Sequence, residues 1–345
     1  MRRLTTMARI LACLTLAGWP VGDVQAEVLH IFSATDTAAI QPVIDGFEKA
    51  HPDLTVDYVE FNTSELHTAI LEDTSAPVDV VISSAMDLQV DLVNRGLAQR
   101  FTPAMDAPPD WAQWRNELYG FTFEPVAVVY NRAAFQGRRL PRTRSQLAGA
   151  IRDDPAFYNG RIGTYDIAQS GVGFLFAAQD ARRGYQFPRL VESLGRAHAK
   201  TYCCSYKIFD AVADGSLVFG YNVMGSYALE RTQRDKRLGI YLLEDYALVM
   251  TRTAFIPKRS ENKDDAKAFI NYLLSSRGQR KIAEGSALIA IRQEQRTAPG
   301  IVALTSGKPL LPIRLGPGLL GYLDKMKKEQ FLKDWRTTMA GPPNQ

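Results

Sequence analysis

Twice along this chain short apolar strands run through small polar loops into helices, and long extended segments interrupt the alternation. The first run opens on a strand over 28–32 and the loop "SATD". Ile40, Val43, Ile44 and Phe47 then recur at helical spacing. Pro42 is expected in the first turn of that helix, where its missing amide does no harm. Residues 54–61 alternate as a strand does, and Asn62 with Glu65 has the spacing of a helix capping box. Residues 78–83 predict a buried strand. A β-α-β-α-β order demands a parallel sheet with helices on its faces. After an extended segment over 119–131 the pattern restarts as strand, loop and helix over 161–181, 200–215 and 216–231. A second extended segment covers 246–258. An amphipathic helix over 263–285 follows, with Ala266, Phe269, Ile270, Leu273 and Leu274 inward. A loop and a helix over 319–339 close the chain.

Two α/β lobes joined by two extended crossings make a clamshell. Ligands of open α/β sheets bind beyond the carboxyl ends of the strands. Five strand-to-helix loops are therefore candidates: "SATD", "SSAMD", "QSGVG", "YCCSY" and "NVMGSY". Each is small and polar, and all five contain serine. Free amides at helix N-termini carry partial positive charge and suit an anion. Ordinary helix capping accounts for any one such loop. Their repetition favours a binding cleft.

The N-terminus addresses location. Arg2, Arg3 and Arg9 precede a short apolar run over 10–18, and Val24 and Ala26 sit at the small-residue positions of a cleavage site. This predicts a secretory signal peptide over 1–26. A spanning helix needs roughly 20 apolar residues, and this run is shorter. Too few apolar residues precede Cys13 for a lipid-anchor signal. Without Arg2, Arg3, Arg9 and Asp23 the net charge falls from +4 to +2. That balance does not call for nucleic acid or an anionic membrane as partner. A chain of 345 residues exceeds one ordinary core, so two domains are expected. Beyond 1–26 the only cysteines are Cys203 and Cys204, adjacent in sequence, which excludes a structural disulfide framework. They lack the spacing of a catalytic dithiol or a zinc site. In an oxidising compartment they either close into a vicinal ring or stay as two thiols.

The stretches "VLHIFSATDTAAIQPVIDGFEKAHPDLTVDY", "VDVVISSAMDLQVDLVNRGLA" and "AKAFINYLLSSRGQRKIAE" resemble periplasmic solute-binding proteins of bacterial ABC importers. The likeness runs from Glu27 to about Arg292. The group is the one named for ferric-ion binding proteins, and it also takes in binders of sugar phosphates and phosphoglycerate. The resemblance implies a two-lobe Venus-flytrap fold of the second structural class, with hinges near Phe123-Glu124 and Ile256-Pro257. Lobe one is expected over 27–124 plus 257–305, and lobe two over 125–256 plus 306–345. It further implies a periplasmic monomer that captures a ligand and delivers it to a membrane permease. Presentation of the ligand to a membrane sensor kinase is the alternative output. No cofactor is implied.

Ferric-binding members carry two consecutive tyrosines in the segment matching "FGYNVMGSYALER". Here Tyr221 and Tyr227 are six apart and no Tyr-Tyr pair exists. Tyr227 and Tyr246 are the phenolate candidates if iron is the cargo, since hard oxygen donors suit a hard ion. An aromatic core or pocket wall is the plainer reading of both. His30, His51, His67 and His198 have no metal-ligand spacing, so each is expected to be structural. The serine-rich loops favour an oxyanion: a phosphate ester, a phosphonate or a carboxylate. Ser33, Thr35, Ser83 and Ser84 are its candidates in lobe one. Ser170 and Gly171, with Gly173, resemble a backbone cradle. Ser205, Asn222 and Ser226 add hydrogen bonds from lobe two, and Glu124 accepts from a hydroxyl. Glu230 is either a second acceptor or a solvated helix residue beside Arg231 and Arg234. Arg252 either pairs with the anion or forms a hinge salt bridge. No nucleophile elbow, Walker loop, H-E-x-x-H or dinucleotide fingerprint is present, so no catalysis is expected.

Overall fold

The computed structural model describes residues 27–72, 75–104 and 107–341. The signal peptide assigned to 1–26 lies outside the described residues. The strands are β1 (Glu27–Ser33), β2 (Leu54–Glu60), β3 (Val80–Ser83), β4 (Gln113–Trp114), β5 (Leu118–Gly120), β6 (Glu124–Asn131) and β7 (Ile162–Tyr165). They continue as β8 (Lys200–Tyr202), β9 (Phe219–Met224), β10 (Leu238–Tyr241), β11 (Ala247–Met250), β12 (Thr253–Phe255) and β13 (Leu310–Pro312). They form two sheets, one per lobe. The first has the order β2-β1-β3-β12-β5-β4, and the second β13-β11-β6-β9-β7-β8 with β10 beside β6.

The β-α-β alternation produces the pairing it demands. β1 is parallel to β2 and β3, and β7 is parallel to β8 and β9. β3 and β9 are buried along their whole length, as strands covered on both faces must be. Ile40, Val43, Ile44 and Phe47 bury one face of the helix Thr37–Glu48 against Leu29, Ile31, Phe269 and Ile270. On the opposite face Val81, Met86 and Val90 join a cluster that continues into the second lobe at Val126, Met224 and Leu248. The lobes therefore touch across one continuous apolar seam.

Both extended segments divide. Residues 119–131 split into β5 of the first sheet and β6 of the second, so the chain changes sheet over Phe121–Phe123. Residues 246–258 split into β11 and β12. The second change falls at Thr251–Arg252, ahead of Ile256-Pro257, because Thr253–Phe255 already pairs with β3 and β5. The crossings also bond to each other. Phe121 N donates to Arg252 O at 3.0 Å, and Arg252 N donates to Thr122 Oγ1 at 2.8 Å. Gly120 permits this approach, since a Cβ there would stand 2.5 Å from the Thr251 side chain.

Three local expectations change. The first helix begins at Thr37, so Pro42 lies beyond its first turn and the helix does without one amide bond. Thr37 anchors that early start by donating its amide to Glu60 Oε2 at 2.7 Å. The helix expected over 263–285 is two, Lys263–Leu274 and Ser276–Gly285, because Ser275 leaves the helical conformation and caps the second through Gly278 N. The C-terminal helix runs over Lys325–Met339, behind a 3-10 turn at Pro317–Tyr322 that packs on the first-lobe helix Met86–Asn94.

Candidate functional site

The two crossings carry Arg252 and Glu124 into the seam between the lobes. Both are shut off from solvent, with Arg252 1% exposed and Glu124 0%. Arg252 Nε donates to Glu124 Oε1 at 3.2 Å, and Nη1 donates to Thr35 Oγ1 at 2.9 Å. Nη2 meets the Met224 sulfur at 4.0 Å, a weak acceptor for a strong donor. The guanidinium also lies 4.8 Å from the centre of the Tyr227 ring. One side chain thus touches the first-lobe loop, the hinge and the second-lobe loop at the same time.

Three buried polar atoms have no hydrogen-bond partner here: Oε2 of the paired Glu124, the hydroxyl of Tyr227, whose ring the guanidinium faces, and Oγ of Ser226, the residue before Tyr227. Buried polar groups are nearly always paired, so orphans on the carboxylate that Arg252 holds and on two successive residues of the adjoining helix start mark a place built for something else. Ser226 and Tyr227 open the helix Gly225–Arg234, which has no side-chain cap. Its first amides add partial positive charge beside Arg252. Gly225 is required at the entry, because a Cβ would stand 2.3 Å from the Pro125 carbonyl oxygen. Burial raises the Tyr227 phenol above its ordinary range, and the nearby Arg252 charge only partly offsets this. The hydroxyl is consequently a neutral donor. Tyr58 is raised for the same reason and donates to the Thr35 carbonyl at 2.6 Å.

The five loops separate when tested for capping. Ser170 caps its helix by accepting from Gly173 N at 3.1 Å. The helices behind "SATD", "SSAMD", "YCCSY" and "NVMGSY" have no side-chain cap. Thr35, Glu124 and Tyr227 contact Arg252, and Ser226 is buried next to Tyr227 in the chain. Ser33 and Ser83 are buried at the strand ends below, where each Oγ accepts a local amide, from Thr35 and Ala85. Ser84 is buried beside them. Gly171 N is engaged with Thr63 Oγ1 of the first lobe at 3.0 Å. With Gly173 N held by Ser170 in its own helix cap, both glycine amides are engaged and do not form an open cradle.

Cys203 and Cys204 form a vicinal disulfide directly before the helix Ser205–Ala213. Ser205 Oγ bonds the Tyr165 hydroxyl, which in turn accepts from Met224 N at 3.4 Å. This loop thereby supports the residue whose sulfur faces Arg252. Tyr165, Tyr58 and Met224 were not among the expected site residues. Tyr165 and Met224 end strands just ahead of the loops, which is the one signal that would have flagged them.

Asn222 and Tyr246 lie elsewhere. Asn222 Nδ2 donates to Asp180 Oδ2 at 2.8 Å, and the Tyr246 hydroxyl donates to Asp180 Oδ1 at 2.8 Å. Tyr221 and Arg144 complete that buried cluster within the second lobe. The expected pairing of Tyr227 with Tyr246 as phenolate donors is therefore not formed. Glu230 pairs with Arg234 at 2.6 Å on a helix surface. His30 and His67 pair with Asp57 and Asp91. Among the described residues no group of three or more His, Cys, Asp or Glu side chains is arranged to hold a metal ion.

The family model for bacterial extracellular solute-binding proteins matches residues 43–304. A substrate-binding protein of an ABC transporter from Agrobacterium tumefaciens is similar at 36% identity with a TM-score of 0.84, covering 92% of this chain and 96% of that one. Iron-bound HitA from Pseudomonas aeruginosa is similar in fold, at 20% identity and a TM-score of 0.71, covering 90% and 99%. So is AfuA from Actinobacillus pleuropneumoniae with exogenous fructose-6-phosphate bound, at 15% identity and a TM-score of 0.71, covering 91% and 98%. No curated protein sequence matches.

Proposed function

This chain belongs to the bacterial extracellular solute-binding proteins and serves an ABC transporter, and from that premise we propose that its ligand is a small organic anion. The class covers a phosphate ester, a phosphonate or a carboxylate. The carrying observation is Arg252, a buried guanidinium between the lobes whose Nη2 faces only a sulfur acceptor at 4.0 Å among its recorded contacts. An oxyanion at Nη2 would also take hydrogen bonds from Ser226, Tyr227 and the uncapped helix amides. Thr35 from the first lobe steadies the other edge of the guanidinium. The cleft is shut in this structure, so entry requires the lobes to part. The crossings at Phe121–Phe123 and Thr251–Arg252 are the hinges in this scheme. The loaded protein, in the periplasm, would then present its ligand to the membrane permease.

Glu124 and Tyr227 are also hard oxygen donors of the kind a ferric ion takes. Arg252 argues against that cargo, because it pairs with Glu124 and sits on the Tyr227 ring, where its charge opposes a trivalent metal ion that brings no anion of its own. A thermal-shift panel tests the choice. Sugar phosphates, phosphoglycerates, phosphonates, di- and tricarboxylates and ferric citrate are each added to the pure protein. Binding to the folded state stabilises by about 2.7 kcal/mol at a hundredfold excess over Kd. The expected result is a raised melting temperature with an organic anion, weakened in Arg252→Lys, where the charge stays and the fork is lost. A shift with iron alone, abolished in Tyr227→Phe, overturns the anion.

A further inference from the structure

The orphaned atoms are not chemically alike. Ser226 and Tyr227 present hydroxyls that can donate. Glu124 Oε2 is the free oxygen of a carboxylate whose other oxygen is held by Arg252, and it can only accept. An oxyanion cannot satisfy it and would be repelled. The local charges point the same way. Arg252 faces two carboxylates, the buried Glu124 and the exposed Asp36, with the partial charges of two uncapped helix N-termini, those of Thr37–Glu48 and Gly225–Arg234, about half a charge each. That balance leaves no surplus positive charge for a buried dianion. Burying an unbalanced charge is costly, so the cargo should be close to neutral overall.

From this we infer that the ligand is a zwitterion: a small oxyanion that also carries an ammonium group, with the ammonium set against Glu124 Oε2. The inference rests on the anion cleft proposed above and specifies its occupant. The oxyanion end takes Arg252 Nη2, Ser226 and Tyr227, and the ammonium end takes the one acceptor left open. A hydroxyl would supply a hydrogen bond to Glu124 but no charge, so an ammonium should be preferred over it. Glu124 is then the residue that determines specificity, while Arg252 determines that an anion is bound at all.

Calorimetric titration of the full mature protein tests this with two series that differ at one substituent. The first comprises 2-aminoethylphosphonate, 2-hydroxyethylphosphonate and ethylphosphonate. The second comprises β-alanine, 3-hydroxypropionate and propionate. In at least one series the amino member is expected to bind at least about tenfold tighter than both analogues, as a charge-assisted bond to a buried carboxylate should provide. Glu124→Gln keeps the shape and an acceptor for Arg252 but removes the charge. It is expected to shrink the amino-to-unsubstituted ratio to below about threefold. The ratios in the native protein stand without any variant, so a misfolded Glu124→Gln does not block the test. Equal binding, or tighter binding of the hydroxy member, in every series that binds leaves the anion cleft standing and overturns the ammonium. Retention of the ratio in folded Glu124→Gln also overturns it. If no member of either series binds, the ammonium assignment falls, and the panel above then decides whether any organic anion binds.

Discussion

Arg144 and Arg252 are buried to almost the same degree, 2% and 1% exposed, but only one of them is completely answered by its surroundings. Arg144 donates from Nε to Tyr221, from Nη1 to Asp245 and the Tyr246 carbonyl, and from Nη2 to Asp180. Asp180 has no idle oxygen either. Oδ1 receives Arg144 and Tyr246, and Oδ2 receives Tyr221 and Asn222. Around Arg252 the carboxylate keeps a free oxygen, and two hydroxyls lack partners. A closed network specifies a fold, and an open one awaits a ligand. The distinction predicts opposite responses to mutation.

The largest effect is expected at Arg144. Arg144→Met strips a fully paired charge from Asp180 and should cost about 3–5 kcal/mol of stability, as removal of one partner from a buried pair does. Chemical denaturation measures it. The ligand affinity of the protein that remains folded should stay within about threefold, because no group of that network touches the Arg252 cluster among the recorded bonds. An affinity loss comparable to the stability loss would break the distinction.

Arg252→Met should act in the other order. Truncating a buried charged partner of a ligand costs about 2–5 kcal/mol of binding, so affinity should fall at least about 30-fold by titration. The variant also strands Glu124, and some stability is lost with it. Pairing it with Glu124→Gln sharpens the result. The double variant should recover stability, because no charge is left alone, yet should not recover binding. Recovery of both would make Arg252 a hinge salt bridge and nothing more.

This contrast explains what could be read from the sequence. Period and loop chemistry are local, so the two parallel runs, the faces of Ile40, Val43, Ile44 and Phe47, and the Asn62 capping box were legible. Glu124, Thr35, Ser226 and Tyr227 could be nominated because each lies in a crossing or at a strand-to-helix loop. Whether a nominated side chain is satisfied depends on partners far away in the chain. Tyr246 meets Asp180 from 66 residues away and Asn222 meets it from 42. Neither pairing leaves a mark on the local pattern. Arg144 shows the same limit, since "RTRSQLAGAIRDD" has the charge density of an exposed helix and conceals a buried anchor. The change of sheet at Thr251–Arg252 escaped notice because 246–258 is uniformly extended, and only its pairing partners divide it.

The smallest effect gives the cleanest comparison, because it removes one oxygen from each site. Tyr246→Phe leaves the ring under Arg144, whose guanidinium carbon lies 3.6 Å from its centre, and deletes only the donor to Asp180. A hydrogen bond to a charged group contributes about 1.5–3 kcal/mol, and the loss should fall toward the lower end because Asp180 keeps its other donors. Tyr227→Phe deletes a hydroxyl that is buried without a partner. Leaving such a group unpaired costs about 1–3 kcal/mol, so the empty protein should be unchanged or slightly more stable without it. In the loaded protein the same hydroxyl donates to the anion, and affinity should fall by roughly tenfold, the equivalent of one hydrogen bond of about 1.4 kcal/mol. Melting curves with and without ligand read both variants. Equal destabilisation by the two phenylalanines would mean that Tyr227 is satisfied in the empty protein, and the Arg252 cluster would then be as closed as the one around Arg144.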